Sequence, residues 1–249
     1  MIILSYNVRG LGRGVKWPGI RRLVKEHHID MLCIQETKKE IVEKSMCQVL
    51  WGDSGFSWES YPSSNADGGI LCIWNEKSFK VESRTSGAGF IMLTGKWCQE
   101  TQPRHIINIY SPCSLQDKRM LWERVKQLKN QNPGGWCVLG DLNNIRTAAE
   151  RVSTFQGGTV DGSIRDFNEW IEEMEVEEVP WVGKSFTWFK PNGKVKSKLD
   201  RFLVSPEWLS KWPDSYQLLL HRNFSDHCSI LLRSNNVDWG PKPLRILYC

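Results

Sequence analysis

The sequence predicts an α+β fold in which two β-sheets pack against each other and helices cover their outer faces. Short apolar runs rich in β-branched and aromatic residues outnumber the helical segments, and the two kinds of segment occur in mixed order. No linker rich in Pro, Gly or Ser interrupts residues 1–233, and no repeat of fixed period is present. We therefore expect residues 1–233 to form one large domain.

The strand predictions rest on these apolar runs, most of which end in polar or turn-forming residues. The predicted strands are 2–8, 31–35, 69–74, 90–97, 105–110, 136–140, 185–189, 199–204, 216–220 and 228–232.

Apolar side chains at helical spacing predict three helices, over residues 18–28, 114–130 and 163–174. Pro18 suits the first turn of its helix. Ser114 and Asp117 resemble a capping box at the start of the second helix. Ser163 and Asp166 repeat that pattern at the start of the third.

The composition is that of a globular protein, with 40% hydrophobic residues and a mean hydropathy of −0.42. No stretch has the length and apolarity of a membrane helix, and the first residues, MIILSYNVRG, lack the features of a signal peptide. The eight cysteines form no C-x-x-C pair and lie mostly in apolar runs. We expect a reducing, intracellular location, nuclear or cytoplasmic, without secretion or a membrane partner.

The charge is mildly basic and unevenly distributed. A net charge of +5 and a pI near 8.7 are compatible with a polyanionic partner but do not establish one. Residues 190–201, KPNGKVKSKLDR, carry five Lys or Arg against one Asp. This run is either a solvated hairpin or a surface that meets backbone phosphates.

Polar residues collect at the ends of several predicted strands. Residues 137–145, CVLGDLNNI, end an apolar strand on Asp141; strict alternation places Asp141 and Asn143 on one face and leaves Asn144 as the turn residue. The other polar residues at strand ends are Asn7, Glu36, Tyr110, Asp226 and His227. Each has an ordinary structural interpretation as a cap, a turn residue or a core histidine, but strand ends sharing one edge of a sandwich would bring them together.

Residue types of this kind suit metal-dependent hydrolysis of a phosphodiester. A hard divalent cation prefers oxygen ligands, and Glu36 can supply one. Asp141 can orient or deprotonate a water molecule, while Asn143 holds that water or a phosphate oxygen without adding charge.

Hydrogen-bond donors complete the set. His227, with its tautomer fixed by Asp226, can donate to the phosphate oxygen on which negative charge grows. Tyr110 can do the same as a neutral donor. A metal, an oriented water and such donors together can hydrolyse a phosphodiester.

The ordered motifs YNVRG, QET, IYSP, GDLN, SKLDRFLVS and SDH resemble the endonuclease/exonuclease/phosphatase (DNase I-like) superfamily over about residues 1–233. The resemblance implies a four-layer αββα sandwich with a Mg²⁺ site at one end, where Mn²⁺ is an alternative ion. Finer features, ILSYNVRGLG near the start and GPKP near the end, are similar to the endonuclease domain of plant LINE-type (non-LTR) retrotransposon polyproteins. That similarity implies that residues 234–249 are the truncated linker to a missing reverse transcriptase.

The resemblance assigns roles by motif. The metal site is expected to comprise Glu36 and Asn7. The catalytic residues are expected to be Asp141, Asn143, Tyr110, Asp226, His227 and Asp200, the last orienting the histidine. Relatives that repair DNA tend to carry an acid at the position of Arg9. The arginine removes a potential ligand for a second metal and adds a positive charge that can contact a phosphate. The residues expected to contact DNA are Arg9, Trp188, Lys196, Lys198, Arg222 and Asn223.

Three functions are compatible with these observations. The first is a Mg²⁺-dependent endonuclease, similar to apurinic/apyrimidinic endonucleases, that nicks double-stranded DNA as a monomer and leaves a 3′-hydroxyl. The second is a phosphatase of an inositol or lipid headgroup, although no compact Lys/Arg cluster for a polyphosphorylated headgroup is evident. The third is an inactive transposon relic that binds DNA.

Overall fold

The computed structural model describes residues 1–12, 14–64, 67–98, 100–152, 160–184, 186–191 and 193–234. Of the predicted tail, residues 235–249 lie outside the described residues, as does Ser185 of the predicted strand 185–189. Among the described residues, no helix has the length and apolar character needed to cross a membrane.

The helices are α1 Lys16–His27, α2 Lys44–Trp51, α3 Leu115–Gln131, α4 Val160–Glu173 and α5 Pro206–Lys211, with a 3₁₀ turn at Ala148–Glu150. The strands are β1 Ile2–Asn7, β2 Met31–Gln35, β3 Phe56–Ser64, β4 Asp67–Asn75, β5 Phe79–Gly87, β6 Phe90–Trp97, β7 Arg104–Tyr110, β8 Gly135–Asp141, β9 Arg151–Val152, β10 Glu177–Glu178, β11 Trp181–Val182, β12 Trp188–Phe189, β13 Lys196–Ser197, β14 Asp200–Val204, β15 Ser215–Leu219 and β16 Ile230–Ser234.

In the described part of the chain, the strands form two large sheets and one small one. The seven-stranded sheet has the order β11-β15-β16-β1-β2-β4-β3, and the six-stranded sheet has the order β10-β14-β8-β7-β6-β5. Alternate side chains of both sheets, such as Cys33 and Leu139, form the core between them. The opposite faces pack on α1 and α2 on one side and on α3 and α4 on the other. The fold is therefore the expected αββα sandwich.

The long strands that the sequence did not predict are β3 and β5, which each form one edge of a large sheet. Both carry many half-buried or exposed polar residues, so they lack the apolar run that marks the central strands. Edge strands tolerate this because one side of each faces solvent and charged side chains there discourage pairing with other chains. The predicted strand 185–189 is ordered as a strand only at Trp188–Phe189 in the small sheet β12-β13-β9.

The two predicted capping boxes have different outcomes. The Ser114 hydroxyl accepts a 3.1 Å bond from the backbone N–H of Asp117 at the start of α3, as expected. The cap predicted at Ser163 is wrong, because α4 begins at Val160 and Ser163 lies within it. The Ser163 hydroxyl instead donates to Oδ1 of Asn144 at 2.8 Å and ties the helix to the segment after β8.

Parallel pairing of neighbouring strands brings their carboxyl ends to one end of the sandwich. Asn7 at the end of β1 pairs with Gln35 of β2, and Tyr110 at the end of β7 pairs with Asp141 of β8. The second pairing depends on Gly140, whose φ is +126° and whose hypothetical Cβ would lie 2.0 Å from the Ile109 carbonyl oxygen. Only glycine allows β8 to approach β7 this closely immediately before Asp141.

Candidate active site

Asp141 is the centre of the group at this end of the sandwich. Its carboxylate is 1% exposed and accepts a 2.8 Å bond from Nδ2 of Asn7 and a 3.0 Å bond from the backbone N–H of Asn143. Asp200, at the start of β14, pairs with Asp141 across the sheet. Strands β1, β8 and β14 thus bring together residues that are up to 193 positions apart, since Asn7 and Asp200 belong to the same group.

His227 lies against both aspartates. Its Nδ1 is 2.9 Å from Oδ2 of Asp200, and its Nε2 is 3.7 Å from Oδ2 of Asp141. This corrects the interpretation that Asp226 fixes the tautomer of His227, because the carboxylate bonded to the ring is that of Asp200. Two adjacent side chains on the segment before β16 point apart, so sequence adjacency was misleading here.

Burial and mutual charge shift the pKa values in this group. Burial raises the pKa of Asp141 to about 6, with the Asp200 charge adding to the effect, while His227 opposes it. Burial alone would lower the pKa of His227, but the carboxylates of Asp200 and Asp141 outweigh it and raise the value to about 9. Asp141 can therefore accept a proton near neutral pH, and His227 can remain an imidazolium donor.

Asp226 belongs to a second contact group at the rim. Its Oδ2 accepts a 3.0 Å bond from Nε1 of Trp188 and forms an ion pair with the Arg9 guanidinium. The Arg9 side chain is 54% exposed, so it reaches solvent beside the group while its backbone N–H donates to Oδ1 of Asn7 at 3.0 Å.

Glu36 follows the end of β2, one residue beyond the partner of Asn7. It is 8% exposed, with a left-handed backbone (φ +53°), and Oε1 is 3.1 Å from Nζ of Lys38. A non-glycine residue in this conformation is uncommon and is often found where function requires it. Its backbone carbonyl accepts the N–H of Gly10 at 2.6 Å, which ties the loops after β1 and β2 together.

Tyr110 is half-buried next to Asp141. Burial, together with the charges of Glu36 and Asp141, raises the pKa of its hydroxyl well above the usual value, so the phenol remains a neutral donor. A cleft of about 910 Å³ opens beside Tyr110, between the β3–β4 and β5–β6 hairpins and the start of α3.

Asn143 lies near Asp141 for a different reason from the one predicted. The strand ends at Asp141, and Asn143 takes a left-handed conformation with φ +48°, so strand alternation does not extend to it. Asn143 is therefore the residue of this segment that adopts the left-handed conformation. Asn144, expected to be the turn residue, is 5% exposed and donates from Nδ2 to the Ser163 carbonyl at 2.8 Å.

The residues expected to contact DNA fall into exposed and buried sets. Arg222 and Asn223 are exposed, and the Arg222 guanidinium lies 5.3 Å from the centre of the Phe189 ring. Lys196 is half-buried, with Nζ 4.4 Å from the centre of the Phe186 ring. Lys198, which was also expected to contact DNA, is buried instead.

Lys198 is 8% exposed, and its Nζ lies 2.7 Å from Oε1 of Glu178 and 3.6 Å from Oε1 of Glu150. It is therefore part of a buried ion-pair network and is not positioned to meet a phosphate. The cluster of basic letters between 190 and 201 could not reveal this, because the compensating glutamates lie far away in the sequence.

Two positioning residues were missed from the sequence. Nζ of Lys16 bonds the carbonyls of Val8, Arg9 and Gly10 at 2.8, 3.1 and 2.9 Å, which fixes the loop after Asn7. The Thr187 hydroxyl accepts the N–H groups of Leu199 and Asp200 at 2.9 and 3.0 Å. Neither position carries a sequence signal beyond its residue type.

The sandwich and the buried carboxylate–histidine group at its strand ends define the DNase I-like class of α+β proteins. The sequence model of the endonuclease/exonuclease/phosphatase family matches residues 4–227, and the chain belongs to that family. Enzymes of this family are nucleases and phosphatases that depend on divalent metal ions. No match was found among curated protein sequences.

Solved structures share the fold at low sequence identity. AP endonuclease LMAP from Leishmania major has a TM-score of 0.71 at 18% identity, covering 93% of this chain and 86% of its own. The 3′ phosphatase NExo from Neisseria, bound to product DNA hairpin, has a TM-score of 0.72 at 17% identity, covering 94% and 99%. The endonuclease domain of TRAS1, a telomere-specific non-LTR retrotransposon, has a TM-score of 0.67 at 11% identity, covering 95% and 99%.

Proposed function

We propose that this chain is a Mg²⁺-dependent endonuclease of the non-LTR retrotransposon type, which nicks double-stranded DNA and leaves a 3′-hydroxyl. The observation that carries the proposal is the buried Asp141 carboxylate, which is bonded to Asn7 and lies 3.7 Å from the His227 ring. Burial raises the pKa of this carboxylate to about 6. A carboxylate in this state suits the removal of a proton from an attacking water.

The residues expected to hold the metal carry oxygen atoms of the kind that a hard divalent cation prefers. The Glu36 carboxylate is largely buried beside Lys38, and Asn7 is buried with its Oδ1 facing the backbone N–H of Arg9. Because Mg²⁺ prefers oxygen and Asp200 already bonds the histidine ring, we assign the metal to the oxygens of Glu36 and Asn7 and not to the group of Asp141, Asp200 and His227. When bound, the ion would stabilise negative charge on the phosphate, with Mn²⁺ as an alternative.

The residues of the chain then divide the work of hydrolysis. Asp141 orients a water and takes its proton as the water oxygen attacks phosphorus. The bond between phosphorus and O3′ breaks on the far side, and O3′ takes up a proton from solvent, so that the products are a 3′-hydroxyl and a 5′-phosphate. His227 and Tyr110 donate to the phosphate oxygens on which charge develops, and Asn143 holds the water or a phosphate oxygen. Asp200 keeps the His227 ring in place.

Two observations favour DNA as the substrate. The similar structures include an AP endonuclease, a 3′ phosphatase bound to a DNA hairpin and a retrotransposon endonuclease. On this chain, Arg9 and Arg222 present exposed guanidinium groups near the proposed site, and Trp188 offers an aromatic face. These side chains suit contacts to phosphates and bases at the rim.

The proposal is tested by incubating supercoiled plasmid with the protein and Mg²⁺, Mn²⁺ or chelator. We expect nicking with either metal, loss of nicking in chelator, and a fall of about 10²–10⁴-fold in rate for Asp141→Ala and for His227→Ala. A DNA polymerase should extend the nick, which reports the 3′-hydroxyl.

Lys129→Met, in the last turn of α3, is the matched control and should nick at the wild-type rate. Intact plasmid with salt-sensitive DNA binding would overturn the proposal in favour of an inactive DNA-binding relic. Intact plasmid with phosphate released from an inositol or lipid headgroup would overturn it in favour of a phosphatase.

A further inference from the structure

The segment after Asp141 is held through Asn143 by three hydrogen bonds to different parts of the fold. Its N–H donates to Oδ1 of Asp141 at 3.0 Å, and its Nδ2 donates to the Ser111 carbonyl at 2.7 Å. Its own carbonyl accepts a 2.6 Å bond from Nζ of Lys118. Its Oδ1 and the second hydrogen of Nδ2 are not used in these bonds, so an acceptor and a donor are left to act toward a ligand.

Lys118 occupies a costly position for a lysine. It follows Ser114 at the start of α3 and shares the buried face of that helix with Leu121, Val125 and Leu128. The residue is 5% exposed, and burial lowers the pKa of its ammonium group, although the charges of Cys113 and Asp141 oppose the shift. Burying an ammonium group costs free energy that an apolar residue at this position would not incur.

The conformation of Asn143 indicates why a buried lysine is present at position 118. A left-handed backbone is uncommon for a residue other than glycine, although asparagine adopts it more readily than most, and surrounding contacts stabilise it at Asn143. The bond from Lys118 acts on the carbonyl of that residue. Without it, the carbonyl would have no partner among the bonds just described, and the peptide could rotate away from Asp141.

We propose that Lys118 is a positioning residue, which holds Asn143 and through it the Asp141 carboxylate in the arrangement that the reaction needs. The proposal rests on the proposed function for the meaning of that arrangement, but the hold itself is a property of the fold. Lys118 touches neither substrate nor metal in this scheme and acts only through Asn143.

The test compares Lys118→Met, which keeps the length and apolar stem, with Lys118→Arg, which restores a cationic donor. Lys129→Met is the matched control, because Lys129 is on the same helix and its Nζ pairs with the exposed Glu175, at 3.4 Å. Steady-state nicking of a labelled duplex at saturating Mg²⁺ gives kcat and KM separately. Thermal unfolding of every variant sets a temperature at which all are folded.

We expect Lys118→Met to lower kcat by about 10- to 100-fold with KM within about twofold, because a small misplacement of a catalytic group affects the transition state. Lys118→Arg should recover part of kcat, and Lys129→Met should match wild type. A wild-type kcat for folded Lys118→Met, or a rise in KM alone, would overturn the proposal. If Lys118→Met does not fold, Lys118→Gln takes its place with the same expectations.

A measurement without activity separates this proposal from the proposed function. In ¹⁵N-resolved NMR spectra of metal-free protein, the backbone and side-chain amide signals of Asn143 should shift or broaden, and its backbone amide should exchange faster, in Lys118→Met but not in Lys129→Met. Unchanged Asn143 signals would overturn the positioning role. Changed signals in a protein that never nicks DNA would support the hold and refute the function.

Discussion

Asp200 and Arg201 are consecutive residues of β14, both buried, yet they belong to two charged groups of opposite character. Asp200 faces His227 and Asp141 at the end of the sandwich. Arg201 points to the other face of the sheet, with its guanidinium 5.7 Å from the centre of the Phe167 ring of α4. Because successive side chains of a strand point to opposite faces of the sheet, these two neighbouring residues belong to different groups.

The Arg201 group is compensated in charge. Its guanidinium bonds Glu150 at 2.7 and 3.0 Å and Glu178 at 3.1 Å, and it donates to the carbonyls of Asn144 and Lys198 at 3.1 and 2.9 Å. Burial would raise the pKa of Glu150 and Glu178, but the cations outweigh it and lower both values.

In the Asp200 group, negative charge is not fully matched by positive charge. Two carboxylates and one imidazole share a buried space, and the pKa of Asp141 is raised because burial outweighs its partners. The Arg201 group therefore has its charges paired, whereas the Asp200 group carries excess negative charge. The Asp200 group is the one that contains the residues suited to proton transfer. The paired group supports the segment from which Asp141 projects, through the Asn144 carbonyl.

The largest expected effect comes from breaking the paired group. Arg201→Met should lower the free energy of unfolding by about 3–5 kcal/mol, because it leaves Glu150 and Glu178 buried with too little positive charge. Urea denaturation measures the change. The matched control is Arg119→Met, which removes an ion pair from an arginine that is 60% exposed and should cost about 1 kcal/mol or less. A loss at Arg201 no larger than at Arg119 would show that the network is not needed for stability.

Asp200→Asn disrupts the group of Asp141, Asp200 and His227, and it should lower activity without lowering stability. The change keeps the shape and an acceptor for Nδ1 of His227 but removes a buried charge, so stability should remain the same or rise. The nicking rate should fall by about 100-fold, equivalent to about 2.7 kcal/mol. Asp214→Asn, in an exposed turn, is the control. A destabilised Asp200→Asn with full activity would reverse the contrast drawn here.

The last prediction concerns a sign and not a size: in chelator, the stabilities contributed by the two groups should depend on pH in opposite directions. The lowered pKa values of Glu150 and Glu178 give stability above their unfolded value of 4.5 that is lost as pH falls. The raised pKa of Asp141 gives stability below its unfolded value of 3.8 that is lost as pH rises through about 6.

Unfolding free energies at about pH 3 and pH 7 test this with two isosteric variants. At neutral pH, Glu178→Gln should be less stable than wild type and Asp141→Asn more stable. Both differences should shrink at the lower pH, since the wild-type carboxyls are then protonated to a greater extent. Differences of the same sign for the two variants would contradict the assignment.

The sequence predicted the central strands and the residues at their ends because these are local patterns of apolar runs closed by polar side chains. The strand ends also predicted that Asp141 and His227 lie together, whereas Asp200 was added to them only through the ordered motifs of a known family. The edge strands β3 and β5 were missed because solvent-facing strands carry no continuous apolar run.

What the sequence could not predict was the pairing of charges distant along the chain. Lys198 was expected on a DNA surface because its neighbours are basic, whereas its partners Glu150 and Glu178 are set by tertiary structure. Lys118 had no signal at all, since a lysine in an amphipathic helix is ordinarily solvated.

Gly140 gives the sequence CVLGDLNNI a meaning that its chemistry alone does not suggest. Because the backbones of β7 and β8 touch at this residue, the glycine acts as a spacer that sets the height of Asp141 against Tyr110. A slip of one residue in either strand would turn Asp141 to the opposite face of the sheet. The distance between Asp141, the proposed base, and Tyr110 therefore depends on the register of β7 and β8, which the absence of a side chain at Gly140 makes possible.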